Sequence, residues 1–110
     1  MKLIQVIVRP FKLEDVRNTL TQLGVQNLII YEARDLNYQN LVNDDNTLSN
    51  EKTQKMLPRL MLSCAVPDEK VNDVVNQLIR VSRCGKHENG HIYIYPLESV
   101  ISIDSGLEVQ

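Results

Sequence analysis

The sequence lacks the features that would mark a secreted, membrane-spanning or nucleic-acid-binding protein. Its 110 residues include two cysteines, no tryptophan and only 5% aromatic side chains. No hydrophobic run approaches the roughly 18 residues that a membrane-spanning helix needs, and we expect no signal peptide. The formal net charge of −2 is not the basic excess typical of proteins that bind phosphate backbones. These absences favour one globular domain over residues 1–110, located in the cytoplasm.

The two cysteines are too few and too differently placed to form a disulfide framework. Cys64 lies in an apolar, strand-like run, whereas Cys84 lies in a glycine-bounded turn. We therefore expect free thiols, as is usual in a reducing cytoplasm. Cys84 could join His87 and His91 as metal ligands, but the glycines among them disfavour the helix that this histidine spacing would need. We predict no metal site.

Signatures of catalysis are missing as well. The sequence has no Walker A loop and no GxGxxG motif after a strand. It also has no serine or cysteine nucleophile within a recognisable local motif. We therefore expect a protein without enzymatic activity.

What is present is a hydrophobic pattern whose period changes along the chain. Alternation with a period of two predicts strands, and a period of 3.6 residues predicts helices. The first strand is apolar on both faces, which is typical of a strand at the centre of a sheet. In order, the pattern predicts a strand at 1–8, a helix at 13–23, strands at 28–33 and 60–66, a helix between Pro67 and Gly85, a strand at 91–95 and a short terminal strand at 100–103.

This order, βαββαβ, predicts a ferredoxin-like α+β sandwich with both helices on one face of an antiparallel sheet. The other face of the sheet would still carry apolar side chains at Leu3, Ile7, Tyr93 and Tyr95. An apolar face of this size needs a cover, and self-association is the usual one.

The pattern stops between the second and third strands. From Leu36 to Leu57 the sequence is polar and rich in asparagine, with neither strand alternation nor a helical stripe of useful length. A loop of about 20 residues without secondary structure is rare inside a compact domain and is usually functional. We therefore predict a long polar loop without regular secondary structure here, and we expect it to carry the function.

A second loop, GKHENG from Gly85 to Gly90, could bind an anion. Glycines at both ends free backbone N–H groups to curl around it, and Lys86 adds a positive charge. Glu88 would repel a phosphate, so the loop alone is a weak signal.

Two blocks of the chain resemble PII signalling proteins. The first runs from Ile7 to Gln26 and contains the specific element Arg-Pro-Phe-Lys at Arg9–Lys12, and the second runs from Val66 to Gly106. Together the blocks cover 61 of the 110 residues, just over half of the chain. The resemblance implies a trimer of ferredoxin-like subunits, with adenine nucleotides bound in clefts between subunits and a long T-loop that engages a target protein.

The resemblance also implies where the sites lie. It places the T-loop at Leu36–Leu57 and the nucleotide-side B-loop at 84–91. The implied nucleotide-binding residues are Ile7, Ile29, Asp35, Tyr38, Cys84, Gly85, Lys86, His87, Glu88, Asn89, Gly90 and His91. The implied partner-binding residues are Asn37, Gln39, Asn40, Asn43, Asp44, Asp45, Asn46 and Ser49.

This chain departs from the family's pattern at several ligand positions. The glycines and basic residues that open a typical T-loop are replaced, and the modifiable tyrosine near its tip is missing. Gln39, which helps to hold magnesium beside 2-oxoglutarate in the family, is retained, and Arg59 could stand for the basic residue that pairs with that acid. Where the family has a B-loop glycine and then a lysine, this chain has Glu88 and His91, and the family's two late arginines appear as Ser102 and Asp104. We therefore expect ADP, ATP or AMP as effector, and not 2-oxoglutarate with magnesium.

The leading interpretation is thus a PII-like regulator of a transporter or metabolic enzyme. A structural trimer related to CutA-type proteins, with metal contact in place of sensing, is the second. A small ferredoxin-like enzyme such as an acylphosphatase is the third, although a shared fold does not imply a shared function.

Overall fold

The computed structural model describes the backbone of residues 1–42, 48–85 and 89–109, and the side chains of these ranges outside 37–55. The described chain forms four strands and two α-helices. They are β1 (Lys2–Val8), α1 (Leu13–Gln22), β2 (Leu28–Val42), β3 (Leu48–Val66), α2 (Val71–Ser82) and β4 (His91–Pro96). Single 3₁₀ turns, Pro10–Lys12 and Asp68–Lys70, precede the two helices.

The four strands form one antiparallel sheet in the order β2-β3-β1-β4. Two βαβ units whose strands pair in this order form the ferredoxin-like α+β fold, as predicted. The first strand, β1, lies between β3 and β4. Its predicted central position is therefore confirmed.

Both helices bury the stripe that their sequence spacing predicted. In α1, Val16 and Leu20 are buried, and in α2, Val74 and Leu78 are buried. Asp68 does not cap α2 with its side chain and instead contacts the N-terminal amine, at 2.8 Å. Neither helix of the described chain, at 10 and 12 residues, is long and apolar enough to cross a membrane.

The core lies between the helices and one face of the sheet. Alternate residues of β1 and β3 point into it, since successive strand residues face opposite sides. At roughly 25 cal/mol per Å² of apolar surface, burial of these side chains is the main stabilising contribution. The buried core residues are Ile4, Val6, Val8, Val16, Leu20, Leu62, Cys64, Val66, Val74 and Leu78.

The opposite face of the sheet, which we call the open face, has no helix over it among the described residues. Strand register places four rows of side chains on it. Several of these side chains remain exposed, among them Ile29 at 65% and Tyr93 at 44%. The rows are Ala65–Leu3–Tyr95, Ile29–Ser63–Gln5–Tyr93, Tyr31–Met61–Ile7–His91 and Ala33–Arg59.

The prediction that the loop from Leu36 to Leu57 has no secondary structure was wrong. β2 and β3 continue as an antiparallel hairpin through 36–42 and 48–57, with one register irregularity between Asn40 and Val42. We call the hairpin segment 36–57 the arm; its residues 43–47 lie outside the described chain. The strands continue because backbone pairing extends outward from the core segments, which does not require alternating apolar side chains.

The arm makes the molecule elongated. β3 has 19 residues, which at about 3.3 Å per residue would span about 60 Å. The longest dimension of the molecule is 63 Å, against 24 and 20 Å for the other two. The radius of gyration is 17.7 Å, compared with about 13 Å for a compact domain of 100 residues.

The predicted terminal strand at 100–103 is not part of the sheet. The chain instead forms a small turn in which Ile101 makes a single β-bridge to Glu108. The Ser102 N–H donates to the Leu107 carbonyl at 3.0 Å. The apolar run was too short to pair with a sheet strand, so local turn hydrogen bonds satisfy its backbone.

Candidate functional site

The B-loop joins the end of α2 to the start of β4. Its ends are tied together by the backbone N–H of Cys84, which donates to Asn89 Oδ1 at 2.7 Å. Gly85 has φ of 73°, a left-handed conformation that glycine adopts without steric cost. The loop therefore closes on itself. Residues 86–88, with the predicted nucleotide-binding Lys86, His87 and Glu88, lie outside the described chain.

Gly90 packs the B-loop directly against β1. Its φ is 120°, and a Cβ at this position would lie 1.9 Å from the Ile7 carbonyl oxygen. Any side chain would therefore force the loop and β1 apart. The contact brings two of the predicted nucleotide-binding residues, Ile7 and Gly90, side by side.

A cavity of about 150 Å³ opens beside this contact, between α2, β1 and β4. This volume is about what one aromatic ring occupies. Its walls are mainly apolar, with Ser82, Arg83, Asn89 and His91 as polar members. The lining residues are Val6, Ile7, Leu78, Ile79, Ser82, Arg83, Asn89, Gly90, His91 and Ile92.

Two polar lining residues, Ser82 and Arg83, were not in the sequence-based site, and neither were the apolar lining residues other than Ile7 and Gly90. Ser82 lies one helical turn after Leu78, so helical spacing could have placed it on the same face. Its hydroxyl oxygen is buried and has no hydrogen-bond partner in the described structure. Arg83 follows it at the end of α2 and is exposed. A buried hydroxyl without a partner is unusual in a protein interior.

The predicted nucleotide-binding residues divide into two groups. Cys84, Gly85, Asn89, Gly90 and His91 lie with Ile7 around the B-loop. Ile29, Asp35 and Tyr38 lie on β2, which β3 separates from β1 by about 10 Å in total. One chain therefore does not bring the two groups together.

The β2 group lies where the arm leaves the sheet. Ile29 is 65% exposed, and Tyr38 pairs through its backbone with Gln54 of β3. The Asp35 carboxylate lies 3.9 Å from Nε of Arg59, a residue that is only 7% exposed. This edge of the sheet therefore combines an exposed apolar side chain with a charged pair in which Arg59 is buried and Asp35 is 41% exposed.

The predicted partner-binding residues all belong to the arm. Asn37, Gln39, Asn40 and Ser49 lie on its two strands, where for example Gln39 pairs with Thr53. Asn43, Asp44, Asp45 and Asn46 lie outside the described chain. Their role in binding a partner stays a prediction.

The cysteines are free, as predicted. Cys64 is buried in the core, and burial raises the pKa of its thiol to about 11. Cys84 is half-buried at the B-loop. Within the described ranges no cluster of three metal-ligating side chains occurs, but His87 lies outside them, so the absence of a metal site stays a prediction.

His91 and Tyr93 continue the B-loop site onto the open face. They lie on the same side of β4, with ring centroids 6.2 Å apart and nearly parallel planes. Gln5 of β1 donates a hydrogen bond of 3.4 Å to the Tyr31 hydroxyl, near the middle of the same face. The open face thus presents aromatic rings around a small polar centre, next to the B-loop.

Comparison with known proteins identifies the family. The family model for nitrogen regulatory protein P-II matches residues 1–106. The chain is 33% identical to nitrogen regulatory protein P-II of Haemophilus influenzae over 108 residues, covering 98% of this chain and 96% of that protein. It is 32% identical to nitrogen regulatory protein GlnK of Escherichia coli over 106 residues, covering 96% and 94%.

A third relative, nitrogen regulatory protein P-II of Nostoc punctiforme, is 33% identical over 106 residues, with 96% and 94% of the two chains covered. These matches extend over the arm as well as the two blocks that carried the resemblance. They decide between the three interpretations of the ferredoxin-like fold. The chain belongs to the nitrogen regulatory protein P-II family of signalling proteins.

Proposed function

We propose that this protein is a non-enzymatic regulator that forms a homotrimer and binds an adenine nucleotide between its subunits. Nucleotide binding would control how the arm engages a target, either a membrane transporter or a metabolic enzyme. The observation that carries the proposal is the family match over residues 1–106, together with the B-loop, which is closed and packed against β1 at Gly90.

The division of the predicted nucleotide site supports a cleft between subunits. The B-loop leads into β4, at one edge of the sheet, whereas Ile29 and Asp35 lie on β2 at the other edge. If the β4 edge of one copy meets the β2 edge of the next, both groups face one cleft. Such a head-to-tail contact closes into a ring when the rotation per copy is one-third of a turn.

The open face supports self-association for a second reason. Tyr31, Tyr93 and Tyr95 are 44%, 44% and 47% exposed, and Ile29 is 65% exposed. Contiguous apolar surface of this kind on a small domain marks an interaction site. In a ring of three copies the open faces would point inward and cover one another.

The charges near the B-loop indicate which adenine nucleotide should bind best. Arg83 is the described cation on the cavity wall, and Asp104 stands where the family resemblance implies an arginine. Each lost charge-assisted hydrogen bond costs about 1.5–3 kcal/mol. We therefore expect AMP or ADP to bind at least as well as ATP, with the adenine ring providing most of the binding energy.

Isothermal titration calorimetry with ATP, ADP, AMP and cyclic AMP tests nucleotide binding. We expect at least one of them to bind with a stoichiometry of one per chain. Each cleft in the ring would form between the β4 edge of one chain and the β2 edge of the next, so the ring has as many clefts as chains. Heat signals absent for all four would contradict the nucleotide part of the proposal. Light scattering coupled to gel filtration tests the trimer independently, since a monomer mass at micromolar concentration would contradict it.

The role of the arm is tested by affinity capture from a lysate, with and without the nucleotide that binds. The matched control is a variant in which residues 43–47 are replaced by a Gly-Ser turn, leaving the described hairpin strands unchanged. We expect a transporter or enzyme to be retained by the native protein, dependent on nucleotide, and lost from the control. Equal retention by both proteins would contradict a role for the arm tip.

A further inference from the structure

The cavity beside the B-loop lies on the helix side of the sheet. Leu78 and Ser82 of α2 form part of its wall, and strand residues Val6 and Ile92 form another part. Val6 is buried in the core, and Ile92 packs against that core. Ile29 of the predicted nucleotide site lies instead on the open face of β2, at the far edge of the sheet. The cavity and this part of the proposed nucleotide cleft are therefore on opposite faces.

Three polar side chains on the cavity wall have hydrogen-bond donors that the described residues do not use. The buried hydroxyl of Ser82 has no partner there. The exposed Arg83 carries five N–H donors, and its side chain forms no hydrogen bond or ion pair with another described residue. Asn89 uses its Oδ1 to accept from the Cys84 N–H, which leaves its amide N–H groups as donors. One small cavity thus collects three kinds of unused donor.

Size and charge define the ligand that would suit this cavity. An apolar cavity of about this volume can hold one benzene ring. Among the described residues that line it there is no aspartate or glutamate, so Arg83 gives the wall a positive charge. Guanidinium and amide N–H donors bind a carboxylate more strongly than a neutral acceptor, because the hydrogen bonds are charge-assisted. The combination favours a carboxylic acid with a compact apolar body.

The cavity is also placed to act on the B-loop. Asn89 closes this loop through its 2.7 Å hydrogen bond with the Cys84 N–H, and Gly90 packs against β1. Asn89 and Gly90 both line the cavity, as do Ser82 and Arg83 at the end of α2. A ligand that contacts both sides would connect the helix end to the loop and oppose loop opening.

We propose that this cavity is a second ligand site, which binds a small carboxylic acid whose apolar body is about the size of one aromatic ring. The ring lies against Leu78 and Ile92, and the carboxylate accepts hydrogen bonds from Arg83 and the Asn89 amide. Rotation about the Cα–Cβ bond of Ser82 lets its hydroxyl donate to the same acid. Binding requires neither nucleotide nor target, whereas any effect on nucleotide affinity rests on the proposed function.

The test uses benzoate as the probe and follows the methyl groups of the cavity wall by NMR. Benzyl alcohol, of similar size but uncharged, is the matched control ligand. We expect saturable shifts at Val6, Leu78 and Ile92, with a Kd for benzoate of about 1 mM or tighter. Benzyl alcohol should bind about tenfold more weakly, since neutral hydrogen bonds are weaker. Benzoate should also slow hydrogen exchange at the Cys84 N–H, because it holds the B-loop closed.

Variants at the end of α2 separate binding in the cavity from a general effect of charge. Arg83→Gln should weaken benzoate binding about tenfold. Arg80→Gln removes the same charge from the same helix, at an exposed residue that does not line the cavity, and should bind benzoate like the wild type. Ser82→Leu fills the cavity and should abolish the methyl shifts. Thermal melts of every variant check that the domain is folded.

Four results would overturn the proposal: no saturable shift at the three wall residues, shifts centred on Ile29 of the open face, equal weakening in R83Q and R80Q, or benzoate binding that survives in folded S82L. If S82L does not fold, S82V replaces it, and the two arginine variants still decide the question. The nucleotide titrations described above use neither benzoate nor these variants. Failure of the second site and failure of the proposed function therefore give different results.

Discussion

Leu62 and Met61 are neighbours on β3, and they show how differently the two faces of the sheet are built. Leu62 points toward the helices and is 1% exposed. Met61 points to the open face and remains half-buried. The chain covers one face with its own helices and leaves the other with aromatic and apolar side chains at the surface. The comparison teaches that folding of the protomer uses one face of these strands, whereas the proposed association of protomers would use the other.

The largest expected effect is at the covered face. Leu62→Ala should lower the free energy of unfolding by about 2–5 kcal/mol, because it removes buried methyl groups and leaves a cavity. Urea denaturation followed by circular dichroism measures the loss. Met61→Ala, the matched control on the open face, should cost only about 1 kcal/mol. If copies associate through the open face as proposed, this cost should shrink on dilution. Equal losses for both variants would contradict the difference between the two faces.

Tyr93→Asp tests the open face. A charge placed among exposed aromatic side chains opposes their burial against another copy, so the proposed trimer should dissociate at least about 100-fold more readily, corresponding to about 2.7 kcal/mol. Light scattering gives the mass, and the far-ultraviolet spectrum should be unchanged because the protomer core is untouched. Tyr93→Phe keeps the ring and should remain trimeric. A trimeric Y93D protein would show that the open face is not the interface.

The loop that joins α2 to β4 provides a matched pair of glycines. Gly90→Ala should destabilise by about 2–3 kcal/mol and abolish nucleotide binding, because the new Cβ collides with the backbone of Ile7. Gly85→Ala has open space around its Cβ and should cost about 1 kcal/mol from its positive φ alone. Chemical denaturation and calorimetry compare the two. Similar behaviour of both variants would contradict a tight contact at Gly90.

The buried Cys64 and the half-buried Cys84 should differ in how their thiols respond to pH and to a labelling reagent. The folded-state pKa of Cys64 is raised by burial to about 11, above its unfolded value of about 8.5. Its contribution to stability is therefore fully present below about pH 8.5 and is lost as pH rises toward 11. Cys64→Val should flatten this alkaline decline in the denaturation midpoint. At neutral pH, iodoacetamide should label Cys84 before Cys64, and the reverse order would contradict the burial of Cys64.

The smallest effect is expected at the start of α2. The N-terminal amine hydrogen-bonds Asp68 and lowers the pKa of its carboxyl. This contact stabilises the protein above the unfolded pKa of about 3.9 and is lost as pH falls through the lower folded value. Asp68→Asn should therefore reduce the acid dependence of the midpoint slightly, because both groups are near solvent. An unchanged acid profile would show that the contact contributes nothing measurable.

The sequence predicted the covered face well and the rest of the sheet less completely. The helical stripes of α1 and α2 and the alternation of β1 arise from burial. The spacing of apolar residues such as Val16, Leu78 and Ile4 therefore predicts that they are buried. Hydrophobic periodicity did not predict the strands of the arm. Its strands from Leu36 to Val42 and from Leu48 to Leu57 pair through their backbones, and backbone pairing leaves no hydrophobic pattern to detect.

The candidate site was predicted in part for a similar reason. Glycines and a motif indicated the B-loop in the sequence, and the structure places Gly90 against Ile7. Nucleotide binding by these two residues stays a prediction. Ser82 and Arg83 were not predicted, because neither their residue types nor a motif indicates that they line a cavity. The pairing of Asp35 with Arg59 could not be seen either, since the two residues are 24 positions apart in the sequence and only strand register makes them neighbours.

By itself, the sequence determined the order of the elements, the face of each helix that is buried and the family to which the chain belongs. These depend on local periodicity and on residues in consecutive motifs. Tertiary structure alone decided that the polar segment forms a hairpin arm, that a carboxylate lies beside the buried Arg59 and that one face of the sheet stays open. Each of these arises from pairing between distant strands, and the energy of such pairing belongs to the backbone and to spatial neighbours that no single stretch of sequence contains.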